Sequence, residues 1–310
     1  MKSIESVVVA FDGESKCGKT TIINSVAKEA EYQAGVIPGL VEQIDRGEWD
    51  ISGSSDLKSQ LEVLQGRYFD TITTISAGNA FRAAALYTSL LELDGQKKAE
   101  FTASDSEAIR ELLAEEGIND VLQTDPNVGK RVSYVGKMMG VQALCGTIFA
   151  DQVSAAYRQN DGANLVVIDA RDPVGHLRRN KKVGLKRAQI HPASIVPIYI
   201  DTDDETAARR MGGDYWEKLE EVSGRRHADA TRNELPVVKP DNLVYNFEDW
   251  LHQFPASVHQ TEIAIPYRWD NGERTSLEHI QYFAGVIAAH AQNQAFFLYQ
   301  SRAAAQGHYE

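Results

Sequence analysis

Residues 7–21 read VVVAFDGESKCGKTT, and no other stretch restricts the fold as much. Residues 7–11 form an unbroken apolar run, as expected of a strand buried on both faces, and such strands belong to parallel sheets covered by helices. Residues 13–20, GESKCGKT, fit G-x-x-x-x-G-K-[ST], and residues 20–30, TTIINSVAKEA, continue in a helical pattern. In this order strand, turn and helix make a cradle for a polyphosphate. Glycines let the backbone curl until successive N–H groups, and the positive end of the helix dipole, point at one anion. The residues placed for this are Gly13, Ser15, Lys16, Cys17, Gly18, Lys19, Thr20 and Thr21. Lys19 would lie along the terminal phosphates of ATP and the Thr20 hydroxyl would ligate Mg²⁺. Cys17 reads as a small filler of the turn, although a thiol beside a lysine and a helix N-terminus gains reactivity.

A chain of 310 residues, 43% hydrophobic, can bury a full core. No internal repeat and no Pro-, Gly- or Ser-rich linker divides it, so a single elaborated domain over 1–310 is expected. The net charge of -12 argues against a surface built throughout for nucleic acid. No apolar run approaches the roughly 20 residues that span a bilayer. The first residues enter a strand pattern rather than a leader, so a cytoplasmic protein with no membrane partner is expected. The two cysteines, Cys17 and Cys145, provide no disulfide framework, and the histidines show no zinc-type spacing.

Residues 164–172, NLVVIDARD, form a second buried strand with charges at its carboxyl end, the end at which parallel sheets bind ligands. Asp169 there suits the magnesium shell and Arg171 an anionic acceptor. Residues 76–87, SAGNAFRAAALY, are a small-residue turn that opens a helix carrying Arg82. Residues 196–211, VPIYIDTDDETAARRM, give a third strand followed by a helix with Arg209 and Arg210. In residues 224–232, GRRHADATR, Arg225, Asp229 and Arg232 stand four and three apart and so share one helical face. Arginines gathered near strand ends, in an acidic protein, suit clamps on transferring phosphates.

Taken in order, these motifs resemble the cytidylate kinase family of nucleoside monophosphate kinases. FDGESKCGKTT is similar to its phosphate loop, SAGNAFR to its acceptor-phosphate turn and IDARD to its Asp-x-Arg-Asp strand. IYIDT with ARRM resembles the start of its lid, and GRRHADATRNELPVVKPDNLVYN the exit from the lid and the last strand. TSLEHIQYFAGVI resembles the closing helix, with Thr275 and Glu278 able to form a capping box. The resemblance covers about half of the chain. It implies a three-layer α/β P-loop kinase fold, with a parallel sheet that includes residues 7–11, 165–169, 197–201 and 243–245. It also implies an acceptor-binding region at about 77–160 and a mobile lid at about 209–232.

By the same resemblance, the reaction is transfer of the γ-phosphate of ATP, with Mg²⁺, to a (deoxy)pyrimidine nucleoside monophosphate. Arg82 and Arg171 would hold the acceptor phosphate, and Asp172 would read the pyrimidine. Arg225 and Asp229 would face the acceptor sugar, with Arg232 adjoining. Arg209 or Arg210 would descend with the lid, so that Lys19, Asp169, Arg171, Arg209 and Arg225 carry the transfer. The chain departs from the family at two points. Its turn reads Ser76-Ala77-Gly78 in place of Asp-Ser-Gly, and residues 136–158 carry no arginine before Arg158, where the family places one for cytosine. Segments 32–75 and 247–274 are additional. Residues 176–187, HLRRNKKVGLKR, hold six Lys and Arg in twelve, which leaves open a polyanionic acceptor, a hydroxymethylpyrimidine already within DNA. A non-catalytic ATP-binding regulator is the third alternative.

Overall fold

The apolar run at residue 7 becomes the middle strand of a five-stranded, all-parallel sheet in the computed structural model, which describes residues 4–14, 16–46, 68–159, 162–174, 190–231, 240–252, 266–272 and 275–305. The chain divides into two compact units, one of residues 1–74, 155–174 and 190–310, the other of residues 75–154 and 175–189.

In the first unit, β1 (Val7–Gly13) runs into α1 (Lys19–Asp45), and β2 is Thr71–Ser76. The chain then leaves for the second unit and returns along α6 (Val141–Tyr157) to β3 (Asn164–Asp169). A 3-10 turn at Pro192–Ser194 leads to β4 (Ile195–Asp201), followed by α7 (Asp204–Met211) and α8 (Tyr215–Ala230). α9 (Phe247–Leu251), β5 (Tyr267–Asp270) and α10 (Leu277–Ala305) complete it. The strand order is β2-β3-β1-β4-β5. Val7 faces Leu165 on β3, Val8 faces Ile195 on β4, and Ile198 faces Tyr267 on β5, each pair parallel. Val7, Val9 and Phe11 pack with Ile22, Ile23 and Val26 of α1 and with Ile287, Ala291 and Leu298 of α10. Val8, Ala10, Val166, Ile168 and Tyr199, on the opposite face, are buried as well. Both faces of the sheet are therefore covered, as an all-parallel sheet requires.

The second unit is helical, with α2 (Ala77–Leu93), α3 (Asp105–Ala114), α4 (Ile118–Thr124) and α5 (Pro126–Val135) beside the first part of α6. Its own core joins Ala80, Ala83 and Ala84 to Ile109, Leu122, Val135 and Ile148. The alanine face of α2 lets its neighbours approach closely.

Two local expectations need correction. Residues 243–245 are not the last strand: Val244 makes a single parallel bridge to Tyr267, and β5 fills that place in the sheet. Three apolar residues between Asn242 and Asn246 are too few, whereas Arg268 of β5 adds a bond from Nε to Asp201 Oδ2 of β4 at 2.6 Å. Within the segment 32–75, α1 continues to Asp45 and β2 begins at Thr71, and residues 47–67 lie outside the described ones. The closing helix is capped one residue later than expected. His279 N–H donates to Ser276 Oγ at 3.2 Å and Ser276 N–H to His279 Nδ1 at 3.4 Å, so Ser276 and His279 form the box in place of Thr275 and Glu278.

Candidate functional site

Where β1 ends, the backbone turns sharply. Gly13 has φ 141°, Lys16 φ 64° and Gly18 φ 86°, three left-handed residues within six. A Cβ on Gly13 would stand 2.3 Å from Ile200 O of β4, and one on Gly18 would stand 2.5 Å from Asn271 Nδ2, so both positions need glycine for space as well as for conformation. A run of left-handed residues turns backbone N–H groups toward one concavity. Lys19, the first residue of α1, folds its ammonium over this turn and donates to Gly13 O at 2.5 Å. Thr20 and Thr21 are exposed on the first turn of α1, as is Lys16 before it, and Ser15 lies outside the described residues.

Cys17 is buried inside the turn, and burial pushes its thiol up, against the pull of Lys19. Burial of this kind disfavours the thiolate and accords with a filler of the turn. Asp169 ends β3 beside β1, and Arg226 of α8 forms an ion pair with Glu14, so both groups border the turn, and their charges act on this thiol. Asp169 follows directly from the register, since its partner on β1 is Phe11.

Asp12, one residue before the turn, is buried. Burial raises its carboxyl above the usual carboxylate range, opposed by Lys19 and by hydrogen bonds from the N–H groups of Gly13 (2.6 Å) and Asp172. Asp172 has φ 50°, a strained value for a residue with a side chain. The Asp12 carboxyl thus pins the turn after β1 to the turn after β3. Arg171, in that second turn, forms an ion pair with Asp229 of α8, which is only 6% exposed.

The remaining arginines separate by role. Arg209 of α7 pairs with Glu205 and lies over the Tyr215 ring at 5.9 Å. Arg210 donates to Asn271 O at 2.8 Å and to Gly272 O at 2.6 Å, fastening α7 to the loop after β5. Arg225 is exposed on α8, and Arg232 lies outside the described residues, as does the basic stretch 176–187. Arg226, one position beyond the expected Arg225, is the α8 residue that reaches the turn. Its Nη1 donates to Asp204 Oδ1 at 2.5 Å and to Thr202 O at 2.9 Å and forms an ion pair with Glu14 Oε2 at 2.8 Å. A spacing of four and three selects a face only once the helix is oriented, and the sequence does not orient it.

Asn271 was equally invisible. It is 2% exposed, its Nδ2 donates to Cys17 O at 2.7 Å, and its backbone bonds both Asp201 O and the Thr202 hydroxyl. Nothing in WDNG marks it as a brace of the turn. Beside it opens a cavity of about 770 Å³ lined by Asp203, Asp204, Glu205, Arg209, Asp270 and Thr275 among others. Its carboxylates oppose an anion and suit a group rich in hydrogen-bond donors.

In the second unit, Arg82 folds back over the start of its own helix. Its Nη1 bonds Asn79 Oδ1 at 3.2 Å and lies 3.1 Å from where a Cβ of Gly78 would be, near Ser76 Oγ. A guanidinium at the positive end of α2 makes a pole suited to an anion. Among the described residues no three His, Cys, Asp or Glu side chains group as metal ligands, and no described helix is long and apolar enough to cross a membrane.

No protein-family model matches the chain. Its sequence is similar to the cytidylate kinase of Parabacteroides distasonis, 24% identical across 78% of this chain and 89% of that protein. That similarity and the five-stranded parallel sheet together relate the chain to the P-loop kinases.

Proposed function

We propose that the protein is a phosphotransferase that moves the γ-phosphate of Mg²⁺·ATP to a (deoxy)pyrimidine nucleoside monophosphate. The observation that carries this reading is the gathering, around one left-handed turn, of Lys19, Asp169 and Arg226, with Arg171 held in the turn that Asp12 pins beside it. Similarity along 89% of a cytidylate kinase supports a free nucleotide as acceptor.

In this reading the turn holds the triphosphate and the carboxylate-lined cavity beside Asn271 takes the donor base. Of the carboxylates there, Glu205 and Asp270 would accept from the exocyclic amine of adenine, and with Asp203 and Asp204 they would keep phosphates out. Thr20 and Asp169 would hold Mg²⁺, which neutralises charge on the β- and γ-phosphates when bound. A hydroxyl and one carboxylate suffice, because magnesium in such sites takes one or two protein ligands beside substrate phosphates. Arg82 and Arg171 would bind the acceptor phosphate, Asp172 would face its base, and Arg225 and Asp229, with Arg232, its sugar. An oxygen of that phosphate attacks the γ-phosphorus in line as the bond to the β-bridging oxygen breaks, giving ADP and a nucleoside diphosphate. No general base is needed, because a phosphate monoester is already largely dianionic at neutral pH. Lys19 and Arg209 would stabilise the charge spread over the equatorial oxygens.

The test is transfer of labelled γ-phosphate from ATP to each nucleoside monophosphate and to hydroxymethylpyrimidine-containing DNA. The expected products are CDP, UDP or their deoxy forms, with turnover reduced at least about a hundredfold by Lys19→Ala. Transfer to DNA alone, or to nothing while ATP binds, would overturn the assignment.

A further inference from the structure

Glu14 is the second residue of the turn, and a carboxylate there opposes the binding of a polyphosphate. Its carbonyl oxygen lies 3.5 Å from Lys19 Nζ, so it borders the concavity itself. Its carboxylate is not left unanswered: Arg226 reaches it at 2.8 Å from α8 while holding Asp204 of α7 and the Thr202 carbonyl. The Arg226 side chain is 12% exposed, and its charge acts on the Cys17 thiol at the bottom of the turn. Arg226 is thus within one side chain's reach of where Lys19 points, tied by the one turn residue whose charge opposes the ligand.

From this we propose that Arg226 is a phosphate-contacting residue of the transfer site and that Glu14 is its latch. The inference rests on the reading of the turn as a triphosphate site. Before nucleotide binds, Glu14 occupies one edge of the guanidinium. The terminal phosphate of ATP, with more negative charge and three acceptor oxygens, displaces the carboxylate and takes its place on the guanidinium, while Asp204 and Thr202 O, which meet the same Nη1, keep the guanidinium at the turn. A nucleotide that ends at the β-phosphate leaves the pair closed and gains nothing from Arg226, while Glu14 reduces what the terminal phosphate of ATP gains there. The pair discriminates ATP from ADP.

Two variants and their combination decide it. Glu14→Gln removes the competing charge, and a non-hydrolysable ATP analogue should bind about five- to tenfold more tightly. Arg226→Ala should collapse the preference for that analogue over ADP and lower turnover at least about a hundredfold. The double variant should recover nucleotide binding and keep the low turnover, because the arginine is gone. Arg226→Lys, which keeps the charge for Asp204 and loses the planar fork, should fall between, and it carries the test if Arg226→Ala unfolds by circular dichroism. Full recovery of turnover in the double variant would mean that Arg226 only neutralises Glu14, and weaker analogue binding by Glu14→Gln would mean that Glu14 organises the turn; either overturns the latch. The analogue-to-ADP ratio needs no acceptor. Failure of every acceptor therefore counts against the assigned reaction, while the ratio still decides the latch.

Discussion

His290 shows how one buried titratable side chain can set the acid limit of the fold. It sits on α10 with its ring 4.8 Å from that of Trp250, which is wholly buried in the core between the sheet and α10. Burial lowers its pKa from 6.5 to about 4, so the native state keeps the imidazole neutral where an unfolded chain would bind a proton. The folded value lies below the unfolded one, so the stabilisation is complete above about pH 6.5 and is lost progressively as pH falls toward 4. Those two values correspond to about 3 kcal/mol across the window. His290→Phe keeps a ring against Trp250 and removes the proton site. Denaturant unfolding between about pH 7 and 4 should show the slope in the wild type and a flatter line in the variant. An unchanged slope would assign the acid sensitivity elsewhere.

Among the elements, the loop after β5 is the one on which the proposed nucleotide site leans. Asn271 is a strut: Nδ2 holds the Cys17 carbonyl, the backbone N–H holds Asp201 O, and its own carbonyl takes Thr202 and Arg210. Asn271→Ala leaves a buried carbonyl unpaired and should cost about 1–3 kcal/mol. Because the lost partner belongs to the turn, nucleotide affinity should fall with stability. Asn271→Ser, which has no amide to reach Cys17 O, should keep part of the packing and none of the brace. A melting-temperature loss with unaltered ATP affinity would refute that coupling. The contrast between this loop and β1 shows what the chain makes legible. The turn after β1 could be read because apolar run, glycines, Lys19 and helix lie consecutively, and Asp169 followed because β3 carries the same apolar signal. β5 is only four residues, YRWD, and two of them are charged, so no run marks it; its place comes from pairing with β4. Asp12, Glu14, Arg226 and Asn271 were missed for a common reason. Each acts through a partner at least one element away or through a backbone group, and spacing along the chain carries no trace of such pairs.

At the scale of the whole molecule, the two units hold separate cores. Phe11, Ile23, Val196 and Ile287 belong to the sheet unit, and Ala84, Ile109, Leu122 and Ile148 to the helical one. A chain with two cores need not unfold in one step, and calorimetry should give a van't Hoff enthalpy below the calorimetric one. The proposed triphosphate turn, Lys19, Asp169 and Arg226 all belong to the sheet unit. Mg²⁺·ATP should therefore raise the midpoint of that unit's transition, by the equivalent of about 2.7 kcal/mol when ligand is at a hundred times its dissociation constant. Ile109→Ala, a truncation in the fully buried centre of the helical core, should lower the other transition by about 2–5 kcal/mol and leave the ATP-induced rise intact. Lys19→Ala should do the reverse, removing the rise without moving the helical transition. One transition that both changes shift together would mean that the units share a single cooperative core, and the assignment of nucleotide binding to the sheet unit would then need direct titration of each variant to stand.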